Sequence, residues 1–70
     1  MQRTPVSSSN LASVGYDASL ATLEIAFNEG GVYEYLRVPE AVYRGLMAAS
    51  SKGRYFDSMI KNAYSYRKIS

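Results

Sequence analysis

The chain has 70 residues, with no cysteine, no histidine and no tryptophan. That length holds one small domain, and a domain of this size buries only about 60% of its unfolded surface. Disulfides and a Cys/His zinc site are excluded as supports, so the fold rests on one modest apolar core. The apolar fraction of 47% is that of a globular domain rather than a disordered chain. Tyrosine stands out, with seven Tyr against two Phe. A Tyr in a small core needs a partner or a route to water for its hydroxyl. A Tyr on the surface is a platform for stacking or docking.

The net charge is only +2, but it is unevenly spread. Residues 1–43 carry Arg3 and Arg37 against Asp17, Glu24, Glu29, Glu34 and Glu40, a net of −3. Residues 44–70 carry Arg44, Lys52, Arg54, Lys61, Arg67 and Lys68 against Asp57 alone, a net of +5. A basic C-terminal half is the electrostatic sign of an anionic partner, set against the ordinary reading of a solvated helix face and charged tail. No stretch approaches the ~20 apolar residues of a membrane span. Met1 to Ser9 lacks the apolar centre of a signal peptide. A soluble cytoplasmic protein without a membrane partner is expected.

In chain order, residues 1–8 read as a flexible N-terminal arm, polar and interrupted by Pro5. Ala12, Val14 and Tyr16 alternate as a short strand; Leu11 is off phase, which requires a bulge or a strand end. Asp17-Ala18-Ser19 is turn-like. Residues 20–27 form the clearest strand, with Leu23, Ile25 and Phe27 on one face and Thr22, Glu24 and Ala26 on the other. Asn28-Glu29-Gly30-Gly31 is a hairpin signal, and residues 32–38 return as a strand that Pro39 ends. An even loop pairs Phe27 with Val32 and sets Glu34 beside Ile25. A three-residue loop with a left-handed Gly instead pairs Phe27 with Tyr33 and Ile25 with Tyr35. The second keeps Glu34 off the apolar face and is preferred, since a one-residue slip reverses every side chain. Tyr33 and Tyr35 then share the face of Leu23, Ile25 and Phe27, and Val32, Leu36 and Val38 lie on the opposite one.

Pro39 and Glu40 suit the start of a helix that carries Val42, Tyr43, Leu46, Met47 and Ala49 on one side and runs to about Ser50. Gly45 weakens that helix and marks the close approach of another element. Ser51 is the expected N-cap of a second helix over 53–64, with an apolar stripe of Tyr55, Phe56, Met59, Ile60, Ala63 and Tyr64. Residues 65–70 are a basic C-terminal tail, either extended or disordered.

The commonest general base and the thiol nucleophile are absent. Glu24 and Glu34 sit across from one another as solvated strand residues rather than as a catalytic pair, and Ser50, Ser51 and Lys52 are better explained by capping than by a Ser–Lys dyad. No catalytic residue, metal site or cofactor is expected. Two features fit an anion. Ser51-Lys52-Gly53-Arg54 opens a helix, where free N–H groups suit phosphate, against the plain reading of a cap with two solvated cations. Tyrosines also interleave with cations at Tyr43-Arg44, Arg54-Tyr55 and Tyr64-Ser65-Tyr66-Arg67-Lys68, a pattern suited to single strands. Tyr43, Tyr55 and Tyr64 fall on helix stripes and belong to the core; Tyr66 has no periodic reason for burial.

The ordered set Ser9-Asn10-Leu11, Gly15-Tyr16-Asp17, Leu23-x-Ile25-x-Phe27, Gly31-x-Tyr33-x-Tyr35, Val38-Pro39, Ser51-Lys52-Gly53-x-Tyr55-Phe56, Ile60-Lys61 and Tyr64 resembles the KTSC domain, over about residues 8–64. That family is named for its place at the C-terminus of some lysyl-tRNA synthetases, and this chain looks like the stand-alone bacterial form. The resemblance implies a compact α+β domain with Tyr33 and Tyr35 as a signature, and no established activity; RNA binding is suggested by the synthetase context. Asp57 departs from the Asn common in the family and sets a negative charge inside the basic segment.

The expected architecture is a single α+β domain over 9–64, with a three-stranded antiparallel sheet followed by two helices packed on one face (βββαα). The leading functional expectation is a non-catalytic module that binds RNA or tRNA weakly, with Lys52, Arg54, Lys61, Arg67 and Lys68 on phosphates and Tyr66 stacking. The alternative is a protein-interaction module or small homodimer that uses the uncovered sheet face of Val32, Leu36 and Val38, an exposed apolar face being a common mark of a contact site.

Overall fold

A computed structural model describes all 70 residues. Five strands form one antiparallel sheet in the order β1-β2-β3-β4-β5. They are β1 (Thr4–Pro5), β2 (Leu11–Asp17), β3 (Thr22–Phe27), β4 (Val32–Tyr35) and β5 (Tyr66–Lys68). Helices α1 (Glu40–Ala48) and α2 (Lys52–Met59) lie between β4 and β5 in the chain. The core is Leu11, Val14, Leu23, Ile25, Tyr35, Val38, Leu46, Phe56 and Ile60.

The α+β class and the three central strands are as expected. The two outer strands are additions. Thr4 and Pro5 pair with Val14 and Ser13, so part of the 1–8 arm is the first strand. Tyr66, Arg67 and Lys68 pair with Tyr35, Glu34 and Tyr33, so the 65–70 tail holds the last. Neither segment has an apolar alternation of its own. Each is ordered by the free edge of a longer neighbour, which offers a row of unpaired backbone groups.

A bulge between Leu11 and Ser13 accounts for the phase of β2. The extra residue returns Leu11 to the face of Val14, and both are fully buried. Asp17 makes the next turn, its carboxylate accepting from the Ser19 N–H at 3.0 Å, the Ser19 hydroxyl at 2.6 Å and the Leu20 N–H at 3.3 Å. That turn extends through Ala21, in the left-handed region at φ 52°. The third strand therefore begins at Thr22 rather than at residue 20, and Leu20 is exposed.

The hairpin closes over Asn28-Glu29-Gly30. The Phe27 N–H donates to the Gly31 carbonyl and the Gly30 N–H to the Phe27 carbonyl. Gly30 and Gly31 have φ of 108° and 89°, which side chains disfavour. Ile25 thus faces Tyr33 and Leu23 faces Tyr35, two residues from the expected register. An even shift leaves the faces unchanged, so Tyr33 and Tyr35 do share the inner face with Leu23 and Ile25.

Val38 does not lie on the outer face. Arg37 takes φ 57°, which reverses the chain after β4 and breaks the alternation. Val38 then turns inward, fully buried, and its N–H donates to the Ala21 carbonyl at 2.8 Å. The outer face is instead crossed by charge. Glu24 stands opposite Glu34, a destabilising arrangement left alone. Arg3 pairs with Glu24, and Arg67 pairs with Glu34 at 2.8 Å. Glu24 is consequently buried rather than solvated. Gly15 makes this crossing possible: a Cβ there would lie 2.6 Å from the Gln2 carbonyl oxygen.

Leu46 of α1 and Phe56 of α2 reach the core, with Val42, Tyr43, Met47 and Tyr55 packed around them. Ser51 caps α2 as expected, accepting from the Arg54 N–H at 3.4 Å. The helix stops at Met59, shorter than the 53–64 the apolar spacing suggests. Ile60 leaves helical geometry at φ −121° and is buried, while Met59 and Ala63 fall on the solvent side. No helix is long and apolar enough to cross a membrane.

Candidate functional site

An open cleft of about 520 Å³ lies between the β3–β4 hairpin and α2. Its floor is aromatic because the period-two face of the sheet meets the helical stripe there. Phe56 packs edge-on against Phe27 and Tyr35, with centroids 5.4 Å away in each case. Phe27 meets Tyr33 edge-on at 5.6 Å. Tyr66 forms the wall, tilted against Tyr35 at 5.4 Å and Tyr33 at 5.9 Å. Tyr66 is 58% exposed, so much of the residue is open to solvent. Asn10, Glu29, Gly30, Asp57, Lys61 and Asn62 complete the lining.

The register of β5 sorts the tail. Tyr66 and Lys68 pair with Tyr35 and Tyr33, which places them on the tyrosine face beside the cleft. Lys68 runs toward Gly31, where a Cβ would be 3.5 Å from its Cε. Arg67 points the opposite way, onto Glu34. Lys61 reaches the cleft from the turn after α2. Arg54 is exposed on α2 but outside the lining, and the Lys52 ammonium donates back to the Ala49 carbonyl at 3.0 Å. Of the six proposed contact residues, the structure gathers Lys61, Tyr66 and Lys68 and disperses Lys52, Arg54 and Arg67. At the start of α2, cap and lysine are both engaged by the chain itself.

The other tyrosines are architectural, as the stripes indicate. Tyr16 and Tyr43 stack at 4.9 Å, and the Tyr16 hydroxyl donates to the Val38 carbonyl at 2.6 Å. Burial, with smaller contributions from Glu40 and Asp17, raises the Tyr16 pKa. Tyr55 packs on Gly45. No group of three or more carboxylates converges in the manner of a metal site. Phe27, Phe56, Asp57 and Asn62 join the site without having been singled out for it. Phe56 and Asp57 lie on α2 and Asn62 in the turn after it, so no helical offset in the sequence connects them.

Tyr35 is 4% exposed, and burial, then the neighbouring Tyr66 and Tyr33, push its pKa up to about 12. The neutral phenol is the form that fits the fold. An unfolded Tyr ionises near pH 10, so the unfolded state loses its proton first. Stability is therefore expected to be level with pH as regards Tyr35 below about 10, and to fall between about 10 and 12. Urea titrations across that range should show the decline in the parent chain and a smaller one in Tyr35→Phe.

The model of the KTSC domain matches residues 7–64. The chain belongs to the KTSC domain family. A KTSC domain protein of Yersinia pestis, known from its crystal structure, superposes with a TM-score of 0.96 at 52% identity, covering 99% of this chain and 97% of that one. An uncharacterised protein of Stutzerimonas stutzeri is 40% identical over 70 residues, 99% of each chain. A lysine–tRNA ligase of Trichormus variabilis is 42% identical over 55 residues, which are 79% of this chain and 10% of the ligase. This KTSC domain thus resembles both a protein of its own length and a small part of a much longer enzyme. Its Tyr33-x-Tyr35 signature splits in role, Tyr35 sealing the core and Tyr33 standing half-buried at the cleft.

Proposed function

We propose that this KTSC domain is a non-catalytic module that binds single-stranded RNA weakly, in the cytoplasm, through the aromatic cleft. Bases stack on Tyr66 and Tyr33, and Lys61 and Lys68 hold the flanking phosphates. The observation that carries this is the open ring of Tyr66 set among further aromatic rings, with two cations beside it that make no ion pair. Rings of this kind accept any base, and adjacent cations hold the backbone. The likeness to part of a lysine–tRNA ligase supports an RNA partner. Docking of a protein or a second copy on the outer sheet face has less support, because two ion pairs cross that face and Val38 is absent from it.

The test is fluorescence anisotropy with labelled single-stranded RNA and tRNA at two salt concentrations. Two phosphate contacts give a slope of log K against log salt of about −1.4. Tyr66→Ala is expected to weaken binding by about 1–3 kcal/mol, the worth of one stacked base, with little loss of stability since the ring is exposed. Arg67→Ala should leave affinity nearly unchanged. No binding at low salt, or binding indifferent to salt, overturns the proposal.

A further inference from the structure

The acidic residues divide in a telling way. Glu24, Glu34 and Glu40 are each paired with an arginine, and Asp17 is taken up by its own turn. The two that remain, Glu29 and Asp57, both line the aromatic cleft. Glu29 sits at the hairpin tip beside Gly30. Asp57 is on α2, directly after Phe56, whose ring is locked between Phe27 and Tyr35. Asp57 is exposed and makes no ion pair or hydrogen bond, so a carboxylate of fixed backbone position faces solvent at a stacking platform.

Two carboxylates against one lysine make the lining net acidic, which keeps phosphates at its rim rather than at the rings. A group that enters must be flat enough to lie against the rings and must bring N–H donors to the carboxylate. Guanine is the common RNA base whose Watson–Crick edge sets two donors side by side, N1–H and N2–H. A carboxylate accepts such a pair bidentately. Adenine and cytosine set one amino group beside a ring-nitrogen acceptor, which repels the second carboxylate oxygen. Uracil sets its N3–H between two carbonyls. The volume of about 520 Å³ falls among those of small-molecule sites, about 300–1,000 Å³. Lys61, in the turn after α2, and Lys68, beside the cleft on the tyrosine face, suit the flanking phosphates and oppose a cationic peptide.

We propose that the cleft selects guanine within single-stranded RNA, with the Asp57 carboxylate accepting from N1–H and N2–H while the base stacks on Tyr66. This rests on the RNA-binding reading and adds a base preference to it. The pentamers UUGUU, UUAUU, UUCUU and UUUUU, labelled at the 5′ end, are compared by anisotropy at low salt. UUGUU is expected to bind about tenfold tighter than the others, within the range of one bidentate pair. Asp57→Asn should reduce that preference to about twofold or less, while UUUUU binds equally well or tighter because a negative charge near the phosphates is gone. Loss of a merely structural contact would weaken all four alike. Equal affinity for the four pentamers overturns the guanine preference and leaves RNA binding standing; a preference that survives Asp57→Asn overturns the role of Asp57. If none of the four binds, both readings fall. An arginine-rich peptide that shifts Tyr33 and Tyr66 in a spectrum where no RNA does would show the cleft to be a cation site and would overturn both.

Discussion

Phe56→Ala is expected to cost about 3–5 kcal/mol, the usual range for emptying a buried aromatic site. The physical ground is its position. Phe56 is 5% exposed and is where helix and sheet meet, edge-on to Phe27 from β3 and to Tyr35 from β4. Aromatic contacts of this geometry add about 0.5–1.5 kcal/mol to area burial. A 70-residue domain has a total stability of roughly 3.5–10 kcal/mol at the usual value per residue. One truncation thus removes between a third and all of it. No disulfide or Cys/His zinc site compensates, because the chain has no cysteine or histidine. Urea unfolding followed by circular dichroism checks this, with Met59→Ala on the same helix as the control. Met59 is 48% exposed, and its removal should change stability by no more than about 0.5 kcal/mol. A loss below about 1 kcal/mol for Phe56→Ala would show that the cleft floor is not part of the core.

Gly45→Ala sets two effects against each other, and the structure decides the sign. In an isolated helix the change would stabilise by about 1 kcal/mol. Here a Cβ on Gly45 would lie 2.2 Å from the Tyr55 hydroxyl oxygen, 2.7 Å from Cζ and 3.1 Å from Cε2. The whole ring must move, and with it the contact between α1 and α2. Overpacking of this kind costs about 1–3 kcal/mol. The net expectation is a loss of up to about 2 kcal/mol, and for a domain of this size about 4–8 °C in Tm for each kcal/mol. A double-mutant cycle separates the effects. On a Tyr55→Ala background the clash is gone, and Gly45→Ala should become neutral or stabilising. A destabilisation that persists there would place the cause in the helix backbone rather than in the packing.

These two sites differ in how far they can be read from the chain alone. Gly45 inside a helical pattern signals close approach, and Tyr55 on the next stripe is the element that approaches. Phe56 reads as a core residue from its spacing. Its meeting with Phe27 and Tyr35 does not, since it depends on how the helix crosses the sheet. The hairpin is intermediate. Keeping Glu34 off the apolar face is enough to settle which side Tyr33 and Tyr35 occupy. The partner of each differs from the expected one by two residues, because the loop closes on Gly31. Val38 shows the opposite failure: alternation sends it outward, but one left-handed residue, Arg37, turns it into the core.

The candidate site follows the same division. In the sequence Tyr66 is an aromatic residue with no periodic reason for burial, and Lys61 and Lys68 are two of five expected phosphate contacts. Arg67 looked the same and is different, because the pleat of β5 delivers it to Glu34 on the opposite face. Such a sorting needs a strand, and residues 65–70 have no alternation from which to infer one.

Length and composition by themselves limited this chain to one small apolar core without cysteine or histidine chemistry, and the order of its motifs determined its family. Apolar period determined the three central strands, the two helices and the packing of most tyrosines against the core, since burial of one face is a local demand on a local pattern. Only the tertiary structure decided that the two ends of the chain are edge strands, that arginines from those ends neutralise Glu24 and Glu34, and that the two unpaired carboxylates meet the open tyrosine in a single cleft. Those outcomes depend on pairing between segments far apart in sequence, for which a local pattern carries no information.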